Sequence, residues 1–355
     1  MILVVNAGSS SLKIGVYTTD LNLVADGMVS NIGTDGQLEL NNIKTAVMTA
    51  DHADALAQML AALAAAGHPE NSFTAAAHRV VHGGTRLTRP VQITPQVLDD
   101  IRACIPLAPL HNPVNLTAIT ALARALPTLP QYASFDTGFH ASVPDVANRY
   151  AIPAKYHDAG MRRYGFHGMS YANMVTDFGD TLPDRLLALH LGNGASLCAI
   201  YKGQSVATSM GYSPLSGLTM GTRAGDIDGA AVLELADQLG GDGADRMLNK
   251  NSGLLALAGD NNMKNLLERD DDAATFAVAH FCYWAARHSG SAIVAMGGLD
   301  AIAFTGGIGE NAAAVRAMIT DHLACFGDVP VHVIAADEEK QIARDALALI
   351  GTNTL

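Results

Sequence analysis

Three glycine-rich segments of this chain have the makings of an anion receptor, and two arginines, an aspartate and a histidine stand in loops suited to serve it. The first segment, Asn6-Ala-Gly-Ser-Ser-Ser-Leu-Lys13, presents successive backbone N–H groups, the hydroxyls of Ser9, Ser10 and Ser11, and the Lys13 amine. That set suits phosphate oxygens, although it is not a P-loop; read alone it is also a hairpin turn of small residues. The second, His190-Leu191-Gly192-Asn193-Gly194, has glycines that let a backbone approach a ligand closely. With the first it forms a pair suited to gripping a polyphosphate. The third, Phe304-Thr-Gly-Gly307-Ile308-Gly309-Glu310-Asn311, follows an apolar run and opens a helical pattern, where a nucleotide fits and a helix N-terminus attracts negative charge. Its glycine spacing is not the dinucleotide fingerprint.

Arg79, in His78-Arg-Val-Val-His-Gly-Gly84, and Arg223, in Gly221-Thr-Arg-Ala-Gly-Asp-Ile-Asp228, each border glycine or an apolar run. Each is either a surface ion-pair partner or a planar fork for a carboxylate or phosphate. Asp136, in Phe-Asp-Thr-Gly-Phe-His140, and His167, in Tyr-Gly-Phe-His-Gly168, occupy similar loops. Alone, each reads as structural; together with the arginines they suggest phosphoryl transfer to an anionic acceptor.

The elements that must position these residues follow from hydropathy patterning. Residues 2–5 are a continuous apolar run, and 14–19 and 23–29 alternate as strands. The same strand-turn-strand-turn-strand grammar returns at 186–191, 195–201 and 204–208, with Ser11-Leu12 and Ser196-Leu197 at apparently equivalent points. A duplicated domain follows from this. Helical patterns fall at 52–66, 95–103, 113–126, 226–239, 271–289, 311–324 and 337–350, and strand-like runs at 75–81, 132–135, 301–305 and 331–335. The expected architecture is α/β, with one lobe from 1–140 plus 340–355 and a second from 141–339. The helix at 52–66 is almost all Ala, Leu and Met, but Asp54 and Gln58 interrupt it, so it reads as core rather than membrane.

The chain has 355 residues, 16% of them charged, with 34 acidic against 22 basic residues and a net charge of −12. A molecule this negative disfavours nucleic acid and anionic membranes as partners and must concentrate its few cations where an anionic substrate lands. The four cysteines are widely spaced, with no C-x-x-C, and read as thiols of a reducing compartment. Met1 runs straight into strand-like residues, without a leader pattern or a long apolar stretch, so a cytoplasmic enzyme is expected.

Taken jointly, the segments at 6–13, 78–84, 106–113, 135–140, 162–168, 190–194, 217–228 and 304–311 resemble the acetokinase family of short-chain carboxylate kinases from end to end. The resemblance implies a duplicated actin-like, sugar-kinase-like (ribonuclease H-like) two-domain fold with its active site in the interdomain cleft. It also implies a homodimer, Mg²⁺ (with Mn²⁺ as an alternative), and ATP/ADP as co-substrate. Carried over by motif, Asn6 and Glu338 hold the metal, while Lys13, His190 to Gly194 and Gly307 to Asn311 contact the nucleotide. By the same match Arg79 binds the carboxylate, His167 and Arg223 stabilise the phosphoryl group in transit, and Asp136 is the catalytic aspartate. Val81, Leu110, Phe166 and Pro214 line the acyl pocket. Three departures stand out: Met169 and Tyr171 where the family has Thr and His, Asn262-Met-Lys264 for Asp-Met-Arg, and a shortened loop before Val331.

An acceptor carboxylate, like side-chain carboxyls with a pKa near 4, is already ionised at pH 7 and needs no base, so Asp136 is expected to orient its neighbours rather than take a proton. The implied activity is reversible phosphorylation of acetate to acetyl phosphate. The alternatives are propionate or butyrate as acceptor, or an actin-like ATPase switch with no small acceptor. A sugar kinase would need a base for a neutral hydroxyl and no paired arginines.

Overall fold

Apolar strands with both faces covered organise the chain, as the computed structural model, which describes residues 1–352, makes plain. Two compact units form: Met1–Phe139 together with the chain from Asp337 onward, and His140–Ala336. The C-terminal helix thus joins the first unit from Asp337 rather than from 340. The reason is local: the Tyr17 hydroxyl donates to Asp337, and Asn6 and Lys13 both bind Glu339.

The first unit carries β1 (Ile2–Ala7), β2 (Ser11–Tyr17), β3 (Leu23–Ser30), β4 (Asp35–Leu40), β5 (Ile43–Met48), β6 (Ala75–Val80), β7 (Val91–Gln92) and β8 (Gln131–Phe135). They form one sheet in the order β5-β4-β3-β2-β1-β6-β8-β7, with β1, β6 and β8 parallel to one another. The continuous run Ile2-Leu3-Val4-Val5 is fully buried, as a central strand covered on both faces should be. The helices His52–Ala65 and Asn112–Ala125 cover one face. The first is capped by Asp51, whose carboxylate accepts from the Ala53 and Asp54 amides. It buries Leu56, Met59, Leu60 and Leu63 at helical spacing against Leu3, Val5 and Ile14.

In the second unit β9 (Arg185–Leu191), β10 (Ala195–Tyr201), β11 (Gln204–Thr208), β12 (Ala301–Thr305) and β13 (Val331–Val333) run in the order β11-β10-β9-β12-β13. The order and the pattern of antiparallel and parallel pairs repeat those of β3-β2-β1-β6-β8. The repeat is real, but its register differs from that read in the sequence. Lys13 pairs with Asn6 and Ser196 with His190, so by hairpin position the counterpart of Ser196 is Lys13 rather than Ser11.

Several elements lie outside the sequence pattern. The β4–β5 hairpin turns on Asn41 and Asn42, both at positive φ (49° and 67°), which fits a two-residue type I′ turn. Its outer strand is mostly exposed and so lacks an apolar alternation to read. The helix Gly168–Phe178 was hidden by its glycine and polar start. The helix expected at 311–324 begins earlier, as Gly306–Asn311, and resumes as Ala313–His322. No helix among the described residues is long and apolar enough to cross a membrane.

Buried polar side chains tie the loops to this frame. Asn115 accepts from the Val81 amide and donates to the Ala7 carbonyl, holding the end of β1 beside the loop after β6. Asn112 does the same with both backbone groups of His82. His78 donates to Gln131, and His140 donates from Nε2 to the Phe166 carbonyl while Nδ1 accepts from Ser205. Burial pushes His78 and His140 down to about 4, so both fold as neutral rings. Because the unfolded chain binds these protons near pH 6.5, their contribution is complete above that pH and is lost as pH falls toward 4. We expect a decline in unfolding free energy between pH 6.5 and 4, on the order of 3 kcal/mol per histidine when complete. His78→Gln should show a shallower decline; parallel curves would refute the assignment.

Candidate active site

In the first unit the parallel order β1-β6-β8 sets three polar residues side by side at one edge of the sheet, where the strands end. Asn6 is in β1, Arg79 is near the end of β6, and Asp136 follows β8, its amide bonded to the Val80 carbonyl. Arg79 Nε and Nη2 donate to the two Asp136 oxygens at 3.0 and 2.7 Å, and Nη1 donates to Asn6 Oδ1 at 3.2 Å. Asn6 Nδ2 donates to Glu339 at 2.9 Å, and Lys13 Nζ donates to the other Glu339 oxygen at 2.7 Å. The result is one continuous network, Asp136–Arg79–Asn6–Glu339–Lys13.

Its electrostatics are mutually supporting. Burial opposes the charge on Arg79, but Asp136 and Glu338 outweigh it and raise the guanidinium pKa. Burial likewise opposes the charges of Lys13 and Glu339, and their ion pair raises the one and lowers the other. Three of the five Arg79 N–H groups are used, leaving one on each terminal nitrogen for an anion among the described residues. Asp136 is 2% exposed with both oxygens taken by Arg79, the arrangement of an orienting group. Glu338 Oε2 lies 3.9 Å from Arg79 Nε, beyond hydrogen-bond length. Ser9 is exposed and Ser11 half-buried in the β1–β2 turn, which the Gly8 amide closes on the Ser11 carbonyl. Val81 is buried beside this cluster's loop, whereas Leu110 is half exposed before the Asn112–Ala125 helix.

The second unit assembles a different cluster. Gly165, at φ +77°, leaves no room for a Cβ against His140, and His167 adopts the left-handed conformation (φ 59°) as it starts the Gly168–Phe178 helix. This backbone turns the His167 ring onto His190, stacked with centroids 4.2 Å apart. A Cβ added to Gly194 would sit 3.4 Å from His167 Nε2 and 3.7 Å from Arg223 Nη1, so both nitrogens converge on the space beside this glycine. Arg223 donates to the Pro214 carbonyl at 2.8 Å and, among the described residues, pairs with no carboxylate. Burial lowers its pKa. Gly221 packs so tightly on Asn193 that a side chain there would collide with it, bracing the Arg223 loop against the Gly192–Gly194 turn. Phe166 is buried and faces this site only through its place in the loop before His167.

Directly beside this turn lies a cavity of about 740 Å³, lined by Gly192, Asn193, Asn261, Asn262, Met263, Lys264, Leu267, Glu268, Gly307, Ile308, Asn311 and Ala312. Two glycine segments thus meet on one cavity large enough for a nucleotide. Leu191 and Gly309 do not line it. Leu191 is fully buried, and Gly309 packs the short helix against it. Glu310 accepts from the Gly306 and Ala336 amides and so holds the segment in place. Asn261, Leu267 and Glu268 were not foreseen, since nothing in their local sequence distinguishes them from an ordinary loop and helix. Among the described residues no group of three or more His, Cys, Asp or Glu side chains is arranged to hold a metal ion.

Comparison with known proteins places these features in a family. Residues 1–350 match the acetokinase family. The chain is 40% identical to an acetate kinase of Rhodopseudomonas palustris over 92% of its own length and 87% of the relative's. A crystal structure of a propionate kinase from Francisella tularensis subsp. tularensis superposes with a TM-score of 0.92 at 35% identity, covering 97% of this chain and 98% of that one. The crystal structure of Porphyromonas gingivalis acetate kinase gives 0.89 at 32% identity, covering 98% and 99%. The five-strand order is repeated in both units, within a fold shared with the Porphyromonas gingivalis acetate kinase. With a family match that runs from the first strand to the last helix and full-length relatives at about 40% identity, the chain belongs to the acetokinase family.

Proposed function

We propose that the chain catalyses the reversible transfer of the γ-phosphoryl group of ATP to acetate, giving acetyl phosphate and ADP. An acetate carboxylate oxygen bonds to the γ-phosphorus as the bond to the β–γ bridging oxygen breaks. The observation that carries this reading is the convergence of His167 Nε2 and Arg223 Nη1 beside Gly194, one residue from the turn that lines the 740 Å³ cavity. A histidine nitrogen and a guanidinium, at the end of a nucleotide-sized cavity, match the charge spread over the equatorial oxygens of a phosphoryl group in transit. Arg79, with two N–H groups to spare, serves the acceptor carboxylate, and Asp136 aims it. No base is required, since the acceptor is already ionised.

The residues proposed for magnesium fit it. Asn6 Oδ1, with a second lone pair, and the Glu338 carboxylate are hard oxygen donors, and Mg²⁺ needs only one or two carboxylates besides phosphate and water. When bound, the ion neutralises charge on the phosphates. Four free cysteines, three of them buried, support residence in the reducing cytoplasm, and family membership supports a homodimer.

A second reading, with propionate as preferred acceptor, is favoured by the likeness to the Francisella propionate kinase. One methylene in an apolar pocket is worth only about 1–3 kcal/mol, so the two acids lie close. An ATPase switch leaves the Arg79 and Arg223 sites without a task, and a sugar kinase needs a free base that Asp136, locked to Arg79, does not supply.

Hydroxylamine trapping with Mg-ATP should yield hydroxamate from acetate, and Arg223→Ala should reduce kcat by about 10²–10³-fold with nucleotide still bound. No trapped product from acetate, propionate or butyrate would overturn the reading. If Val81 limits the acyl pocket, Val81→Ala should raise the propionate-to-acetate ratio of kcat/KM about tenfold; an unchanged ratio would remove Val81 from that role.

A further inference from the structure

Behind the His167 ring lies a chain of hydroxyl groups that the phosphoryl-transfer reading does not use. Ser196 Oγ lies 2.9 Å from His167 Nδ1 and 2.6 Å from the Tyr171 hydroxyl. Both Ser196 and Tyr171 are fully buried, so their partners are protein groups. Tyr171 stands one turn along the helix that His167 begins, its amide bonded to the His167 carbonyl, while Ser196 lies opposite His190 on the β9–β10 ladder. Three elements are thereby locked to one ring.

The direction of the chain follows from counting protons. The His190 backbone amide donates to the Tyr171 oxygen, so the phenol proton is left for Ser196. Phenol is also the stronger acid of the two hydroxyls, hence the better donor. One of the two Ser196 lone pairs is engaged by Tyr171, and the only other contact of its hydroxyl among the described residues is His167 Nδ1, so its single proton goes there. We propose that Tyr171 and Ser196 are positioning residues that hold His167 as the tautomer protonated on Nε2, so that the ring presents an N–H, not a lone pair, to the phosphoryl oxygens beside Gly194.

This rests on the reading of His167 as a phosphoryl-binding group. The opposite tautomer would aim a lone pair at negative oxygens, and the second-site hydrogen bond decides between them. Also near the ring are the stacked His190, held at Nδ1 by Ser170, and the Arg223 guanidinium across Gly194; Cys198 lies near Tyr171.

The test uses the full chain with ¹⁵N-labelled histidine, the His167 signals being assigned by their loss in His167→Gln. In the wild type, without substrate, the ¹⁵N shifts should show Nε2 protonated and Nδ1 unprotonated. Tyr171→Phe should move His167 toward the Nδ1-protonated form and lower kcat about tenfold, with KM for acetate and ATP changed less than twofold. A wild-type ring protonated on Nδ1 overturns the proposal without any variant, and so does a Tyr171→Phe enzyme whose tautomer or kcat is unchanged. Because the tautomer is read without turnover, an enzyme that phosphorylates no carboxylate would refute the proposed function and leave this assignment to be judged by the spectrum.

Discussion

The forked pairing of Arg79 with Asp136 is the contact on which the first unit's chemistry depends. Two parallel donors meet two carboxylate oxygens at 3.0 and 2.7 Å in a nearly dry setting, which fixes the guanidinium plane as well as its position. Removing either partner leaves an uncompensated buried charge, which typically costs 3–5 kcal/mol. The pair also determines what its neighbours can do. Asn6 is oriented by the remaining Arg79 nitrogen, Glu339 by Asn6, and Lys13 by Glu339, so that five side chains share one arrangement.

Arg223 shows the complementary solution. It is held by a carbonyl rather than a carboxylate, and burial lowers its pKa instead of a neighbour raising it. In a chain of net charge −12, a cation kept away from acidic side chains retains its full attraction for an incoming anion. An arginine pre-paired like Arg79 offers geometry; an arginine left unpaired like Arg223 offers charge. Phosphoryl transfer has use for both, because it gains from positioning and from stabilising charge that develops only in transit.

Backbone conformation carries the remaining precision. The positive φ of Gly165 and His167 turns one ring toward Gly194, and the bare Cα of Gly194 keeps the space between His167 and Arg223 open. Gly221 seats the Arg223 loop on Asn193 at a distance that no side chain would tolerate. Such constraints tolerate little change in the loops, which explains why the glycine segments read so strongly in the sequence.

The sequence by itself determined the two repeated strand units, the α/β class, and the residue types able to bind phosphate and carboxylate. It could do so because hydropathy period and turn chemistry are local properties. The β4–β5 hairpin and the Gly168–Phe178 helix escaped for the same reason: one is exposed and the other begins with small and polar residues, so neither carries a clean period. Only the tertiary structure decided which motif residues touch a cavity and which support it, as with Leu191, Gly309 and Glu310 behind Asn193 and Ile308. It also joined Arg79 to Asp136 across 57 residues and Tyr171 to Ser196 across 25, through strand order and a hairpin ladder. Contacts of that range depend on which strands become neighbours, and local patterning, which records only whether a face is buried, does not encode them.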